Sequence, residues 1–191
     1  MSWAAVMPLK GGAQRKSRLA GVLDEAQRAD LSLAMAVQVL GRLSACRAVA
    51  DILVLSPERP DWADVNWRRD KGGGLNAELS RLRADLSSTD LLVLHADLPL
   101  IETADVEALL SGEAGVALAP DRHGLGTNAL ALRRGLPFEF AFGSGSFARH
   151  RAQAPRAAVV DRLGLRLDVD TPDDLEAARR AGFRPPIRIT P

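Results

Sequence analysis

Tyrosine is absent from this sequence, and all aromatic residues together make up only 4%. A core built with so few rings must be aliphatic, from Leu, Val and Ala. A single cysteine, Cys46, excludes a disulfide framework within one chain. It lies in the apolar run LSACRAVA and reads as a small buried hydrophobe. Histidine is scarce too, with three residues at 95, 123 and 150. They share no ligand spacing and no cysteine joins them, which argues against a zinc site. Net charge is only +1, so bulk electrostatics points to neither nucleic acid nor membrane. No apolar run is long enough to span a bilayer. The N-terminal apolar stretch before Lys10 is too short for a signal peptide, so a cytoplasmic protein is expected. Two nucleophile and nucleotide motifs are also missing. There is no G-x-S-x-G elbow; GSGSF comes close but lacks its spacing. Arg15 stands where a Walker loop needs glycine before Lys16–Ser17.

What is present is ordinary for a soluble globular chain: 191 residues, 47% hydrophobic and 26% charged. That length fits a single domain, residues 1–191. The apolar runs Ala4–Leu9, DILVLSP and DLLVLHAD read as buried strands, with a short strand in VNWRR. Between them, Leu33, Ala36, Val37 and Leu40 repeat at helical spacing within a helix from about Asp24 to Leu43. LNAELSRLRADL and TADVEALLSG read as further helices, the latter with Thr103 as N-cap. GVALAP, NALALRR, RAAVVD and LRLDVD read as strands, and GSFARHRAQ as one or two helical turns. TPDDLEAARRAG carries every terminus signal: Thr171 as cap, Pro172 at the first position, acids first, arginines last, Gly182 after the end. Strands alternating with helices predict a doubly wound α/β sheet. The strand-rich stretch from about 116 to 170 suggests a mixed insertion over that sheet. The tail RPPIRITP reads as a surface segment.

Asp97 ends the strand DLLVLHAD, and ligands of open α/β sheets bind beyond such carboxyl ends. Asp168 and Asp170 end a distant strand and, being two apart, face one side. Taken singly these acids are as well read as caps or solvated turn residues. Together they make a plausible Mg²⁺ site, since that ion takes few carboxylates and otherwise prefers phosphate oxygens and water. The loop after the first strand offers Lys10, Arg15, Lys16 and Arg18 around Gly11 and Gly12, which suits a triphosphate or is simply a solvated basic loop. Two segments, Gly124–Ala129 and Gly143–Ala148, superficially match G-x-G-x-x-A. Neither follows the first strand, so a dinucleotide fingerprint is not the reading. Both read better as small-residue loops that offer N–H and hydroxyl donors from Thr127, Ser144 and Ser146 to an anion. His95 could line the site or pack, and His150 could help hold a phosphate.

Seven motifs in order then meet a family: P-L-K near the start, K-S-R-L at 16–19, G-G-G-L-N-A at 72–77, A-D-L-P at 96–99, G-T-N-A-L at 126–130, F-G-S-G-S-F-A-R-H at 142–150 and D-V-D-T-P-D-D-L at 168–175. From about residue 4 to 182 the chain resembles the CofC/FbiD family, the guanylyltransferases of deazaflavin coenzyme F-420 biosynthesis. The resemblance implies a Rossmann-like, nucleotide-diphospho-sugar-transferase-like fold with a mixed sheet. It implies transfer of GMP from GTP to 2-phospho-L-lactate, phosphoenolpyruvate or 3-phospho-D-glycerate, with release of pyrophosphate and Mg²⁺ as cofactor. By motif match Asp97 and Asp168 would hold the metal, with Asp170 assisting. Thr127, Gly143 and Ser146 would hold the acceptor. Lys10, Lys16 and Arg18 would act with Asp97 on the triphosphate, lined by Gly11 and Gly12, and Gly73, Gly74 and Asn76 would lie near the guanine. More distant guanylyltransferases carry G-x-G after the first strand, where this chain has Lys10–Gly11–Gly12. The implied partners are GTP and the acid, with no nucleic acid and no membrane, and with room for a homodimer and for hand-over of product to the next pathway enzyme. Two other readings stay open: a nucleotidyltransferase of the same fold acting on a molybdopterin or sugar phosphate, and a non-catalytic nucleotide-binding subunit.

Overall fold

A computed structural model describes residues 2–11, 16–61 and 65–185. Gly12 and Arg15 lie outside the described residues, as does the tail from 186 onward. The chain runs β1 (Trp3–Pro8), α1 (Glu25–Ala45), β2 (Val49–Ser56), β3 (Asn66–Arg69), α2 (Leu75–Asp85), β4 (Asp90–Leu94), α3 (Thr103–Leu110), β5 (Val116–Pro120), β6 (Thr127–Leu132), α4 (Ser146–Gln153), β7 (Ala158–Val159), α5 (Leu163–Arg166) and α6 (Pro172–Arg180). A 3-10 turn, Ser17–Leu19, follows the basic loop.

The strands form one seven-stranded sheet in the order β3-β2-β1-β4-β6-β5-β7. β1 pairs in parallel with both β2 and β4, while β6 is antiparallel to β4 and β5. The chain leaves β1 toward β2 on one side and later returns to β4 on the other. The carboxyl ends of β1 and β4 therefore flank the point where connections diverge, the place where such sheets open a crevice. Every residue of β4, β5 and β6 is buried, because helices or loops cover both faces. α1, α3 and Leu165 pack on one face, around Ala5, Met7, Leu92 and Leu94. α2 with Phe140 and Phe142 packs on the other, around Val6, Leu53 and Leu130. Cys46 is buried in the first of these clusters, as its apolar context predicts.

Three expectations need correction. Glu102, not Thr103, caps α3, because Asp105 three positions into the helix accepts the Glu102 N–H at 2.9 Å and completes a capping box. The stretch from 116 onward is not an insertion over the sheet: β5, β6 and β7 extend the sheet itself. LRLDVD is not a strand. Its first residues close α5, and the remainder runs beside the loop after β4, with the Val169 N–H donating to the Asp97 carbonyl at 3.1 Å. RAAVVD shrinks to the two residues of β7.

A third apolar cluster positions the site. Leu19 and Leu23 beside the 3-10 turn, Leu31 and Met35 of α1, Leu175 and Ala178 of α6, and Leu167 and Val169 pack together. The alternation Leu167, Asp168, Val169, Asp170 buries the apolar pair here and turns the acids the other way. The same-side placement read for a strand thus survives in an extended segment outside the sheet.

Candidate active site

Asp97, Asp168 and Asp170 converge, each offering a carboxylate oxygen within 4.8 Å of the others. β4 delivers Asp97 three residues past its end, and the Val169–Asp97 backbone bond brings the two acids of the distant segment alongside. Lys16 reaches into this cluster. Its Nζ donates to Asp97 Oδ2 at 2.5 Å and to Asp170 Oδ1 at 2.9 Å, with the side chain only 9% exposed. Lys16 is the one non-glycine among the described residues with positive φ, +53°, a conformation that costs energy outside glycine. Leu19, fully buried two residues after Ser17, anchors the turn that holds it there.

The charges are mutually dependent. Burial would favour the neutral amine of Lys16, but the Asp97 and Asp170 carboxylates outweigh it and hold the ammonium pKa above its ordinary value. Burial would likewise raise the Asp97 pKa, and the Lys16 charge overrides it and keeps the carboxyl below the usual range. For Asp168 the balance runs the other way. Burial, and then the Asp97 charge, push it up to about 6, against a hydrogen bond from Asn128. Asp97 Oδ1 is buried with no hydrogen-bond partner among the described residues. Three hard oxygen donors, an orphaned carboxylate oxygen and an ammonium already drawn between two of the acids are the chemistry of a divalent-cation site.

Asn128 is a residue that sequence reasoning missed. Its Nδ2 lies 3.0 Å from Leu165 O, 3.1 Å from Arg166 O and 3.1 Å from Asp168 Oδ1, so it anchors the acidic segment. Its direction comes from a bulge: Ala119 opposes Ala129 while Pro120 opposes Thr127, leaving Asn128 as the extra residue. Bulges re-aim side chains beside functional sites. Here neighbouring side chains serve two networks, Asn128 the acids and Thr127 a second pocket. A buried asparagine inside an apolar strand was the available signal.

That second pocket lies at the start of α4. Thr127 and Ser146 are 2% and 1% exposed, and Ser146 Oγ donates to Thr127 Oγ1 at 3.2 Å. Gly143 and Gly145 take φ of +118° and +70°, which lets the loop turn back onto the helix start. Arg149 closes the loop by donating to Ser144 O at 2.6 Å and Ala141 O at 2.8 Å. His150, read from the sequence as a residue that could help hold a phosphate, is fully buried under Thr127, with both ring nitrogens engaged by protein groups. His95, at the strand end between the acids and Phe142, stacks 5.5 Å from the Phe142 ring. Burial lowers its pKa, and its Nε2 has no hydrogen-bond partner among the described residues.

The remaining candidates scatter around the crevice. Lys10 and Arg18 are exposed, and Gly11 packs against Pro57. Gly72 and Gly74 take φ of +83° and +84°, and the Glu78 carboxylate accepts from the Lys71 and Gly73 N–H groups at 3.2 Å each. Asn76 donates to Phe142 O at 3.1 Å and accepts the Phe142 N–H at 2.7 Å. It therefore ties the glycine loop to the second pocket through its own amide.

The fold has counterparts among solved structures. The chain matches the structure of a Desulfovibrio desulfuricans G20 protein that carries the name nucleotide-diphospho-sugar transferase, with TM-score 0.70 and 20% identity over 95% of this chain and 88% of that one. A nucleotidyl transferase from Methanothermobacter shares the fold at TM-score 0.57 and 14% identity, covering 94% of this chain and 96% of that one. These two likenesses show the fold.

Within it, residues 3–178 match the family model for guanylyl transferases of the CofC-like type, and the chain belongs to that family. It is 42% identical to a phosphoenolpyruvate guanylyltransferase of Sphaerobacter thermophilus over 92% of each chain. It is 36% identical to a 3-phospho-D-glycerate guanylyltransferase of Phenylobacterium zucineum, over 92% of this chain and 89% of the relative. With these relatives, the chain is a nucleotidyltransferase. Among its described residues no helix is long and apolar enough to cross a membrane.

Proposed function

We propose that this chain transfers GMP from GTP to phosphoenolpyruvate, releasing pyrophosphate, as a step of coenzyme F-420 biosynthesis in the cytoplasm. The observation that carries the reading is the meeting of Asp97, Asp168 and Asp170 around a cation, beside a neutral pocket of hydroxyl and N–H donors. Phosphoenolpyruvate is favoured because it is named for the relatives at 42% and 41% identity.

The chemistry needs little from the protein beyond placement and charge. An oxygen of the acceptor phosphate, already anionic near neutral pH, attacks the α-phosphorus of GTP. A bond forms there as the bond from the α-phosphorus to the bridging oxygen of pyrophosphate breaks. No strong general base is required, in keeping with the missing nucleophile–base machinery. Alignment and charge neutralisation are the usual means of helping such a transfer.

Asp97, Asp168 and Asp170 would hold Mg²⁺, which when bound supplies charge neutralisation at the phosphates. Lys16 holds the carboxylates together before the metal arrives. Lys16 occupies Asp97 Oδ2 and Asp170 Oδ1, two of the oxygens a metal would take, so a bound metal would compete with the ammonium for them, and Lys16, once displaced, would face the triphosphate. Lys10 and Arg18, with the backbone of Gly11 and Gly12, neutralise the leaving pyrophosphate. Gly73 and Gly74 receive the guanine, with Asn76 linking that loop to the acceptor side. Thr127, Gly143 and Ser146 take the acceptor at the start of α4, where the hydroxyl pair supplies a donor to an anion.

The test is pyrophosphate release by pure protein with Mg²⁺, each NTP in turn and each of the three acids, with mass detection of the product. Release with GTP and phosphoenolpyruvate, and a product of GMP joined to that acid, is the expected result. Release with CTP alone would move the protein to another nucleotidyltransferase reaction. Nucleotide binding without release would make it a binding subunit.

A further inference from the structure

We infer that His150 is a positioning residue that keeps one hydrogen of the Thr127–Ser146 hydroxyl pair free to donate, and that the pair offers it to an anionic oxygen of the acceptor. The inference rests on the acceptor placement proposed above.

The argument runs along a chain of hydrogen bonds with fixed ends. The Ala141 backbone N–H can only donate, and it meets His150 Nε2 at 3.0 Å. Nε2 must therefore be a bare lone pair, so a neutral His150 carries its proton on Nδ1. That nitrogen lies 3.0 Å from Thr127 Oγ1, to which it donates. Ser146 Oγ also donates to Thr127 Oγ1, at 3.2 Å. A hydroxyl has two lone pairs and one hydrogen. Both lone pairs of Thr127 are used, and no described residue accepts its hydrogen. If the bond between the two hydroxyls runs the other way, the hydrogen of Ser146 is released instead. Either way the pair keeps one O–H free to donate, a hydrogen it would lose to the ring if Nδ1 were the acceptor.

The surroundings hold His150 in this state. The ring is fully buried, with Phe142 edge-on at 4.9 Å and Phe138 tilted at 5.5 Å. Burial, and then the neighbouring Arg149 charge, lower its pKa to about 4, so the neutral ring persists at working pH. A protonated ring would set an N–H against the Ala141 N–H. The same histidine ties the loop before Gly143 to the base of the pocket, so one side chain sets both the donor and the loop around it.

Two conservative variants separate this role from simple packing. Asparagine can place a donor near the Nδ1 position but cannot reach Ala141. Glutamine can place an acceptor near Nε2 but offers Thr127 nothing. His150→Asn is expected to keep the acceptor KM within about threefold of wild type. His150→Gln is expected to raise it about tenfold or more, the scale of one charge-assisted hydrogen bond misdirected. The GTP KM should stay unchanged in both. Equal acceptor KM values for His150→Gln and wild type, or a His150→Asn variant no better than His150→Gln, would overturn the inference. Nitrogen-15 NMR of the wild-type protein decides the assignment should a variant fail to fold: the neutral Nδ1–H tautomer is expected, and an Nε2–H tautomer would sink it. A wild-type protein that turns over none of the three acids would defeat the proposed function instead, and the tautomer measurement would still decide the hydrogen-bond chain.

Discussion

The two halves of the crevice are built on opposite principles. On the Asp97 side, charges face one another with one carboxylate oxygen unpaired, one acid pushed up to about 6 and one lysine in a left-handed conformation. On the Thr127 side His150, Thr127 and Ser146 are uncharged, buried and mutually bonded, and the Arg149 guanidinium is spent on loop carbonyls at the rim. The charged half is incomplete without a ligand, since buried like charges are costly until a cation is shared among them. The neutral half is finished before any ligand arrives. The contrast teaches a division of labour: one side gains its order on binding, and the other holds its order in advance.

The largest effect should come from the charged half. Asp97→Ala is expected to lower kcat on the order of 10²-fold or more, the scale of losing one main electrostatic stabiliser, with the fold kept. Wild-type turnover in that variant would break the comparison, since the charged half would then do no work. Lys16→Met sharpens it further. Without nucleotide, Mn²⁺ affinity measured by titration should rise about tenfold, because the ion no longer competes with the ammonium. The ion-free variant should also melt lower, with Mn²⁺ restoring it. Unchanged Mn²⁺ affinity would show that Lys16 and the metal do not share a place.

The charged half should also set the pH dependence. A folded Asp168 pKa of about 6 exceeds the ordinary carboxylate value of roughly 4, so the folded state keeps a proton that the unfolded chain has lost. Stability of the ion-free protein should therefore fall as pH rises through that window. The Asp97 contribution has the opposite sign and is lost only as pH drops below the ordinary carboxylate range. Melting temperatures from pH 4 to 7 should show the fall in wild type and a flatter curve in Asp168→Asn. The smallest effect belongs to the neutral half. Gly143→Ala places a β-carbon on a φ of +118° with only Arg149 Nη2 near it, at 4.0 Å, so a loss of about 1 kcal/mol and a modest rise in acceptor KM are expected from denaturation and kinetics.

Much of this was legible from residue order. The all-apolar strands, the capped final helix and the alternation of Leu167 and Val169 with two acids all follow from local pattern. Their meeting with Asp97 follows once ligands are expected beyond strand ends. What stayed hidden depends on partners far along the chain. Asn128 acts because a bulge opposite Pro120 turns it toward Asp168, and no local pattern announces a bulge. The place of His150 under Thr127 stays hidden because its burial is set by Phe138 and Phe142. Lys16 was read as facing phosphate alone because nothing near it in sequence reveals the carboxylates that draw it inward. The Glu102 cap was missed because threonine is the commoner choice, and here Asp105 decides the matter.

The most direct test is crystallographic: anomalous diffraction from Mn²⁺ in crystals grown with a non-hydrolysable GTP analogue. The expected result is an ion at bonding distance from Asp97 and from Asp168 or Asp170, with the Lys16 ammonium moved to the phosphates. An ion held by the phosphates alone, with Lys16 still bridging Asp97 and Asp170, would contradict it.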